Sequence, residues 1–214
     1  IVYLRNEVNS KGYWGSRDLQ TDEFTRQFLG ENPSEGKIPE KAFEEAGVGN
    51  FNFYKPATTI ELEPTQVEIL SDSIVSDRRH ISVRLQPNRA IDRVDVNLKQ
   101  NTRVVDLAVY GQKAVKKDNS PFLVTGESSR RLFQYYFSDD GQALVFTYSV
   151  PKEDDPSLLL FELTYDFQSH SEIKKIKPNL EPRPGHLMPN TYSVSDALVN
   201  LREIRFQSSR NDSN

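Results

Sequence analysis

Over most of the chain the apolar side chains fall at every second position. From about Thr58 onward this period of two dominates. Ile81, Val83 and Leu85 alternate with Ser82, Arg84 and Gln86, the pattern of a strand with one face in a core and the other in water. The run Val67 to Val75 precedes it across Ser76-Asp77-Arg78-Arg79, which reads as a turn. Val94, Val96 and Leu98 alternate with Asp95 and Asn97, and Val105, Leu107 and Val109 alternate with Asp106 and Ala108. The polar stretch Lys99 to Thr102 between these two runs predicts a hairpin. Leu132 to Phe137 and Leu144 to Val150 flank Ser138-Asp139-Asp140-Gly141, where Asp-Gly tolerates the positive φ of a tight turn and predicts another. Leu158 to Phe167, broken by Glu162 and Thr164, reads as a central strand. Lys177 to Pro189 holds Pro178, Pro182, Pro184 and Pro189 and predicts an extended surface crossing outside any ladder. Val199, Leu201, Ile204 and Phe206 predict a last strand, and Gln207 to Asn214 a frayed polar tail.

The opening of the chain reads differently. Ile1 to Val8 is strand-like, Asn9-Ser10-Lys11-Gly12 is a polar turn, and Tyr13-Trp14 returns, which predicts a hairpin. In Asp22 to Leu29, Phe24 and Phe28 stand four apart with Leu29 beside them and Gly30 as a stop, the signature of a short amphipathic helix. A second short helix is expected after Ile38, with Pro39 in its first turn, Ala42, Phe43 and Ala46 on one side and Gly47 as terminator. Glu31 to Lys37 between them reads as a loop. The expected organisation is therefore residues 1–57 as an N-terminal hairpin and short helices packing on a sandwich, 58–207 as the β-sandwich, and 208–214 as a disordered tail. The fold class is mainly β: an antiparallel β-sandwich, jelly-roll or Ig-like.

Composition narrows the function classes. The 214 residues suffice to bury a core without staples, and 12 Phe with 9 Tyr supply apolar area that the low mean hydropathy of -0.64 conceals. Lys+Arg total 27 against 31 Asp+Glu, so no basic surplus exists to neutralise phosphates, and nucleic acid is not expected as a partner. The basic pairs Arg78-Arg79, Lys116-Lys117 and Arg130-Arg131 each sit beside acids and read as solvated loop or edge positions. Absence of cysteine removes disulfides, thiolate zinc sites and cysteine nucleophiles together. The first residue is Ile1, which is read as a start inside a longer chain or after a cleavage. The sequon Asn211-Asp212-Ser213 reads as chance.

Candidate chemistry is sparse. His80, His170 and His186 lie in separate segments, and none has a second histidine at helical spacing. His170-Ser171-Glu172 echoes a ligand-x-glutamate pattern without a second ligand. Gly126-Glu127-Ser128-Ser129-Arg130 misses the second glycine of a nucleophile elbow. Asp92 with Asp95, and Glu153-Asp154-Asp155, are the local carboxylate clusters, and acid-base work would need two of them to converge in one cleft. The triplet between Pro151 and Pro156 reads as a solvated connection, with a calcium site as the other reading. Tyr13, Trp14, Tyr135 and Tyr136 are the side chains available for a sugar-stacking platform, but their strand positions favour packing.

Several stretches resemble, in order, the C-terminal region of the multi-pass membrane zinc aminopeptidases of metallopeptidase family twenty-eight, similar to the endoplasmic-reticulum metallopeptidase and vacuolar-membrane protease groups. They are Tyr13-Trp14-Gly15-Ser16-Arg17-Asp18 with Asp22-Glu23-Phe24-Thr25 and Phe28-Leu29-Gly30; Arg79 to Leu85; Val105 to Gly111; Phe133 to Phe137; Pro182-Arg183-Pro184 through Leu187-Met188-Pro189; and Ser195 to Val199. The resemblance implies a parent with a zinc exopeptidase domain, a membrane bundle and this domain last. No position here matches the family's zinc ligands or base, so no catalytic, cofactor-binding or metal residue is assigned, and zinc is expected in the parent's peptidase domain. The expected function is a non-catalytic, extracytoplasmic (periplasmic or lumenal) accessory domain, membrane-tethered through the parent, with a structural or substrate- or partner-positioning role. Its expected partners are the parent's own peptidase and membrane domains. The alternative is a carbohydrate- or peptide-binding sandwich module.

Overall fold

The computed structural model describes residues 1–45, 48–99, 101–116, 121–125, 131–138, 141–165, 167–186 and 194–206. With 45% strand and 11% helix the protein is mainly β, built on two antiparallel-rich sheets in a sandwich-like arrangement. In chain order the elements are β1 (Val2–Asn6), β2 (Lys11–Ser16), α1 (Glu23–Leu29), β3 (Ser34–Glu35), α2 (Lys41–Glu45), β4 (Phe53–Ala57), β5 (Gln66–Val75), β6 (Arg78–Gln86), β7 (Arg93–Leu98) and β8 (Arg103–Val104). There follow β9 (Asp106–Val109), β10 (Gln112–Lys113), β11 (Val124–Thr125), β12 (Arg131–Tyr136), β13 (Leu144–Pro151), β14 (Leu158–Tyr165), a 3-10 turn at Phe167–Ser169, α3 (Ser171–Ile176) and β15 (Ala197–Ile204).

The larger sheet runs β12-β7-β14-β15-β1-β2-β4-β3, the smaller β10-β9-β13-β6-β5, and β11 pairs with β8 separately. The predicted first hairpin forms, with Tyr3 opposite Trp14. It does not pack on the sandwich from outside: β1 joins β15 in parallel, Val2 opposite Ala197, so the hairpin belongs to the larger sheet. Nothing in period-two patterning distinguishes a parallel neighbour from an antiparallel one. Gly15 of β2 lies under Phe51, and an added Cβ would come within 2.8 Å of that ring. β3 lies in the stretch Glu31 to Lys37 read as loop, and β4 in a stretch with no predicted element, where Pro56 and the short apolar run at Phe53 hide the alternation.

Two predicted hairpins are corrected. β7 and β9 belong to different sheets, as do β12 and β13, so the chain crosses the core at both connections. The reason is physical. Val94, Val96 and Leu98 face Leu107, Phe146 and Tyr148 in one cluster, and two strands facing each other across a core alternate just as two side-by-side strands do. The β5–β6 hairpin does form, tighter than expected, with Val75 opposite Arg78 and Ser76 at φ 59. β14 is the buried central strand its composition indicated, between β7 and β15.

Helix α1 forms where predicted. Asp22 accepts from the Thr25 amide at 2.7 Å while the Thr25 hydroxyl accepts from the Asp22 amide at 2.8 Å, and Gly30 at φ 72 closes the helix with its N–H on the Arg26 carbonyl. α2 also forms, with Phe43 fully buried; Ala46 and Gly47 lie outside the described residues. No strand forms over the described part of the proline-rich crossing, Lys177 to His186. The tail 207–214 with its sequon and the positions Leu187 to Pro189 lie outside the described residues.

Three apolar clusters result. One fills the space between the sheets. A second packs α1 and Phe167 against Tyr3, Trp14 and Leu198. The third covers the opposite face of the larger sheet with α2 and Phe51 over Leu4, Phe161 and Leu201. By register Arg5, Asn200 and Glu162 form one row across β1, β15 and β14, between the first two clusters. Arg89 bonds Glu162 at 2.9 Å, Asn200 bonds Glu162 at 3.1 Å, and Arg5 bonds Asn200 at 3.1 Å. These charges pair with one another in the interior, while Arg5 Nε, Arg89 Nε and Glu162 Oε1 are buried without a hydrogen-bond partner among the described residues.

Candidate functional site

The smaller sheet ends on β5, which pairs, among the described residues, with β6 alone. Among those residues no strand meets its other side, which presents open backbone donors and acceptors. The other ends of the two large sheets are β10 and β3, of two residues each, and β12, of six. Natural edges are blunted by brevity, lysine or proline, bulges, inward-pointing charges or a cover; β5 contains neither lysine nor proline and is exposed along almost its whole length, but it carries a bulge after Ile69 and Asp72 on its core side. Ile69 (44%), Leu70 (40%), Ile74 (51%) and Val75 (58%) are four of the most exposed large apolar side chains in the described residues. A bulge between Ile69 and Ser71 shifts the register. Before it, Ile69 stands opposite Val83 on the core side; after it, Asp72 and Ile74 take that side, opposite Ile81 and Arg79. The apolar doublets Ile69-Leu70 and Ile74-Val75 are the sequence signal of this edge, one that strict alternation passes over.

Electrostatically the edge is one-sided. Residues 61 to 77 hold Glu61, Glu63, Glu68, Asp72 and Asp77 and no lysine or arginine. β6 answers three of these acids: Arg79 meets Asp72 at 2.8 and 2.6 Å, Arg84 meets Glu68 at 3.1 Å, and Arg78 lies 3.9 Å from Asp77, while Arg5 of β1 lies 3.7 Å from Glu61. The bonds from Asp72 outweigh burial and raise the Arg79 guanidinium above its ordinary range. Beside the edge, the outer face of the smaller sheet forms a shallow depression of about 450 Å³ floored by Ser71, Ser82, Thr147 and Ala108 and rimmed by His80 and Lys113.

No family model, curated protein or solved structure matches this chain.

The residues singled out for chemistry are dispersed by the fold. His80 is exposed on β6. His170 caps α3, accepting from the Glu172 amide at 3.3 Å, and burial lowers its pKa, helped by Arg89. His186 lies 3.9 Å from Glu23 at the surface. Among the described residues no three His, Asp or Glu side chains gather as metal ligands. Asp95 pairs with Arg93 at 3.0 Å, whereas Asp92 accepts from the Tyr165 amide at 2.6 Å. The triplet is a clasped turn: Asp154 accepts from the Arg103 amide at 2.8 Å and from its guanidinium at 2.5 Å, Glu153 accepts from the same side chain, and Asp155 accepts from the Ser157 amide and hydroxyl. Burial pushes both aspartates up, but these bonds outweigh it and hold both carboxyls below their usual range. Gly126 to Arg130 lie outside the described residues.

The aromatic candidates do not share a surface. Trp14 packs edge-on to Tyr3 with ring centres 4.9 Å apart and against Phe28 at 4.8 Å, and it is 3% exposed. Tyr13 is buried, its hydroxyl on Glu40 at 2.8 Å. Tyr135 packs with Tyr110 and Phe137, while exposed Tyr136, the next residue on β12, lies under Arg93.

Proposed function

We propose that this chain is a non-catalytic accessory domain, extracytoplasmic and tethered through a membrane-anchored zinc aminopeptidase of the kind its sequence resembles, and that it positions a partner polypeptide on the free edge of β5. One observation carries the reading: a ten-residue edge strand, exposed along all of its length but Val67, that displays apolar side chains beside open main-chain hydrogen-bonding groups. Strand addition draws affinity from such main-chain groups and specificity from the flanking side chains. Zinc chemistry is assigned to the parent's peptidase domain, because no residue here corresponds to that family's ligands.

The test uses the full-length parent. As this domain lacks cysteine, Leu70→Cys provides a site for a photo-crosslinker on the edge, with Lys41→Cys on α2 as control. Crosslinking from position 70 to a defined polypeptide segment, absent from position 41, is the expected result. Equal or no capture from both positions overturns it, as does zinc-dependent, chelator-sensitive aminopeptidase activity in this domain alone.

A free-standing binding module is the second reading. The edge favours a peptide over a glycan as its ligand, since main-chain pairing recognises polypeptide and Trp14 is enclosed in the core.

A further inference from the structure

We infer that the occupant of the β5 edge is an extended, basic segment of another polypeptide, with apolar residues at alternate positions, added as a further strand to the smaller sheet; the inference rests on the accessory-domain reading and specifies what the edge takes. Three observations select this occupant. The edge offers main-chain groups in a row, which only an extended backbone satisfies along its length. Ile69 and Ile74 project on the core side on either flank of Asp72, so an added strand must set apolar side chains beside them to extend the core. Five acids and no base lie between residues 61 and 77, with Glu61 and Glu63 before the strand and Asp77 just beyond it. Lysine or arginine at the ends of the added segment would meet these acids.

The same charge argues against a second copy of this chain. Self-pairing of β5 would bring two strands with Glu68 and Asp72, each flanked by further acids, to one seam, and like charges facing one another across strands are destabilising. The partial neutralisation by Arg84, Arg79 and Arg78 comes from the β6 side; Glu61, whose contact with Arg5 is a long 3.7 Å, and Glu63 stay exposed.

The experiment is backbone hydrogen exchange and binding by the whole domain with short capped peptides in which lysine and valine alternate. Controls are the glutamate-valine counterpart and a lysine-valine peptide N-methylated on one edge. The expected result is slowed exchange confined to β5 amides with the lysine peptide, loss on N-methylation, and binding weakened about tenfold or more by the exposed double variant Glu63→Lys, Glu68→Lys. Equal protection of β5 by lysine and glutamate peptides overturns the charge inference and leaves the edge reading standing. Protection elsewhere, or indifference to N-methylation, overturns both. Concentration-dependent self-association that protects β5 without peptide makes a second copy the occupant and overturns the inference.

Discussion

Arg79 grips Asp72 at two points, Nε at 2.8 Å and Nη2 at 2.6 Å, and this ion pair ties the exposed half of β5 to the sheet. Arg79 is itself buried at 6% exposure, so its charge depends on Asp72. Asp72→Ala leaves that guanidinium without its closest carboxylate and is expected to cost about 2–4 kcal/mol. Urea denaturation measures the loss, and hydrogen exchange should quicken first in Ser71 to Val75.

Trp14 is a core residue, so Trp14→Ala should lower stability by about 3–5 kcal/mol. Trp14→Phe, which keeps most of the contact with Tyr3 and Phe28, should recover at least half of it. A folded Trp14→Phe variant that lost glycan binding present in the parent domain would contradict the packing role.

The buried row Arg5, Asn200, Glu162 with Arg89 behaves as a unit. Glu162→Ala leaves buried Arg89 without its carboxylate, keeping only Thr164 and the Ala90 carbonyl, and leaves Asn200 Nδ2 with Glu7 alone; it should cost about 3–5 kcal/mol. Adding Arg89→Met should recover part of that loss, and a double-mutant cycle by chemical denaturation reads the coupling. Strict additivity of the two changes would show that the pair does not interact.

Acid should destabilise the fold through a defined set of carboxylates. Bonds to Lys11, Tyr13 and Asn9 overcome burial to hold Glu40 below its ordinary 4.5, the Arg205 and Lys99 bonds do the same for Glu203, and Asp154 and Asp155 are held below 3.8. Because the unfolded chain takes up these protons first, the stabilisation is fully present above the ordinary carboxylate range and is lost as pH falls through and below it. In alkali the sign reverses for Tyr13, which burial and then Glu40 push from 10.0 to about 12: the unfolded tyrosine ionises first, so stability declines between those values. Thermal melts across pH check both limbs, and Tyr13→Phe should flatten the alkaline one.

The sequence disclosed burial well and neighbourhood poorly. Val94, Leu107, Leu144 and Leu158 were legible as core because alternation reports which side of a strand is dry. That β7 pairs with β12 and β14 rather than with β9 was not, since pairing depends on contacts made far along the chain. Capping was legible at Asp22, where the chemistry is local. The edge character of β5 was hidden by the bulge after Ile69, which breaks the period and makes one strand look like an indistinct apolar run. The clasp of Arg103 on Asp154, some fifty positions away, left no mark in the sequence, because nothing local pairs the two.

β15 sits between β1 and β14, pairing Val2 with Ala197 on one side and Leu158 with Ile204 on the other. During synthesis the ribosome delivers this strand after both its neighbours, long after β1 and shortly after β14. Until it emerges, β1 and β14 each carry an unfilled margin, so the nascent polypeptide holds two halves of one sheet apart. Closure is then a late insertion that locks the beginning of the domain to its end, and a chain stalled before Ala197 would display two open seams that β15 fills in the finished protein.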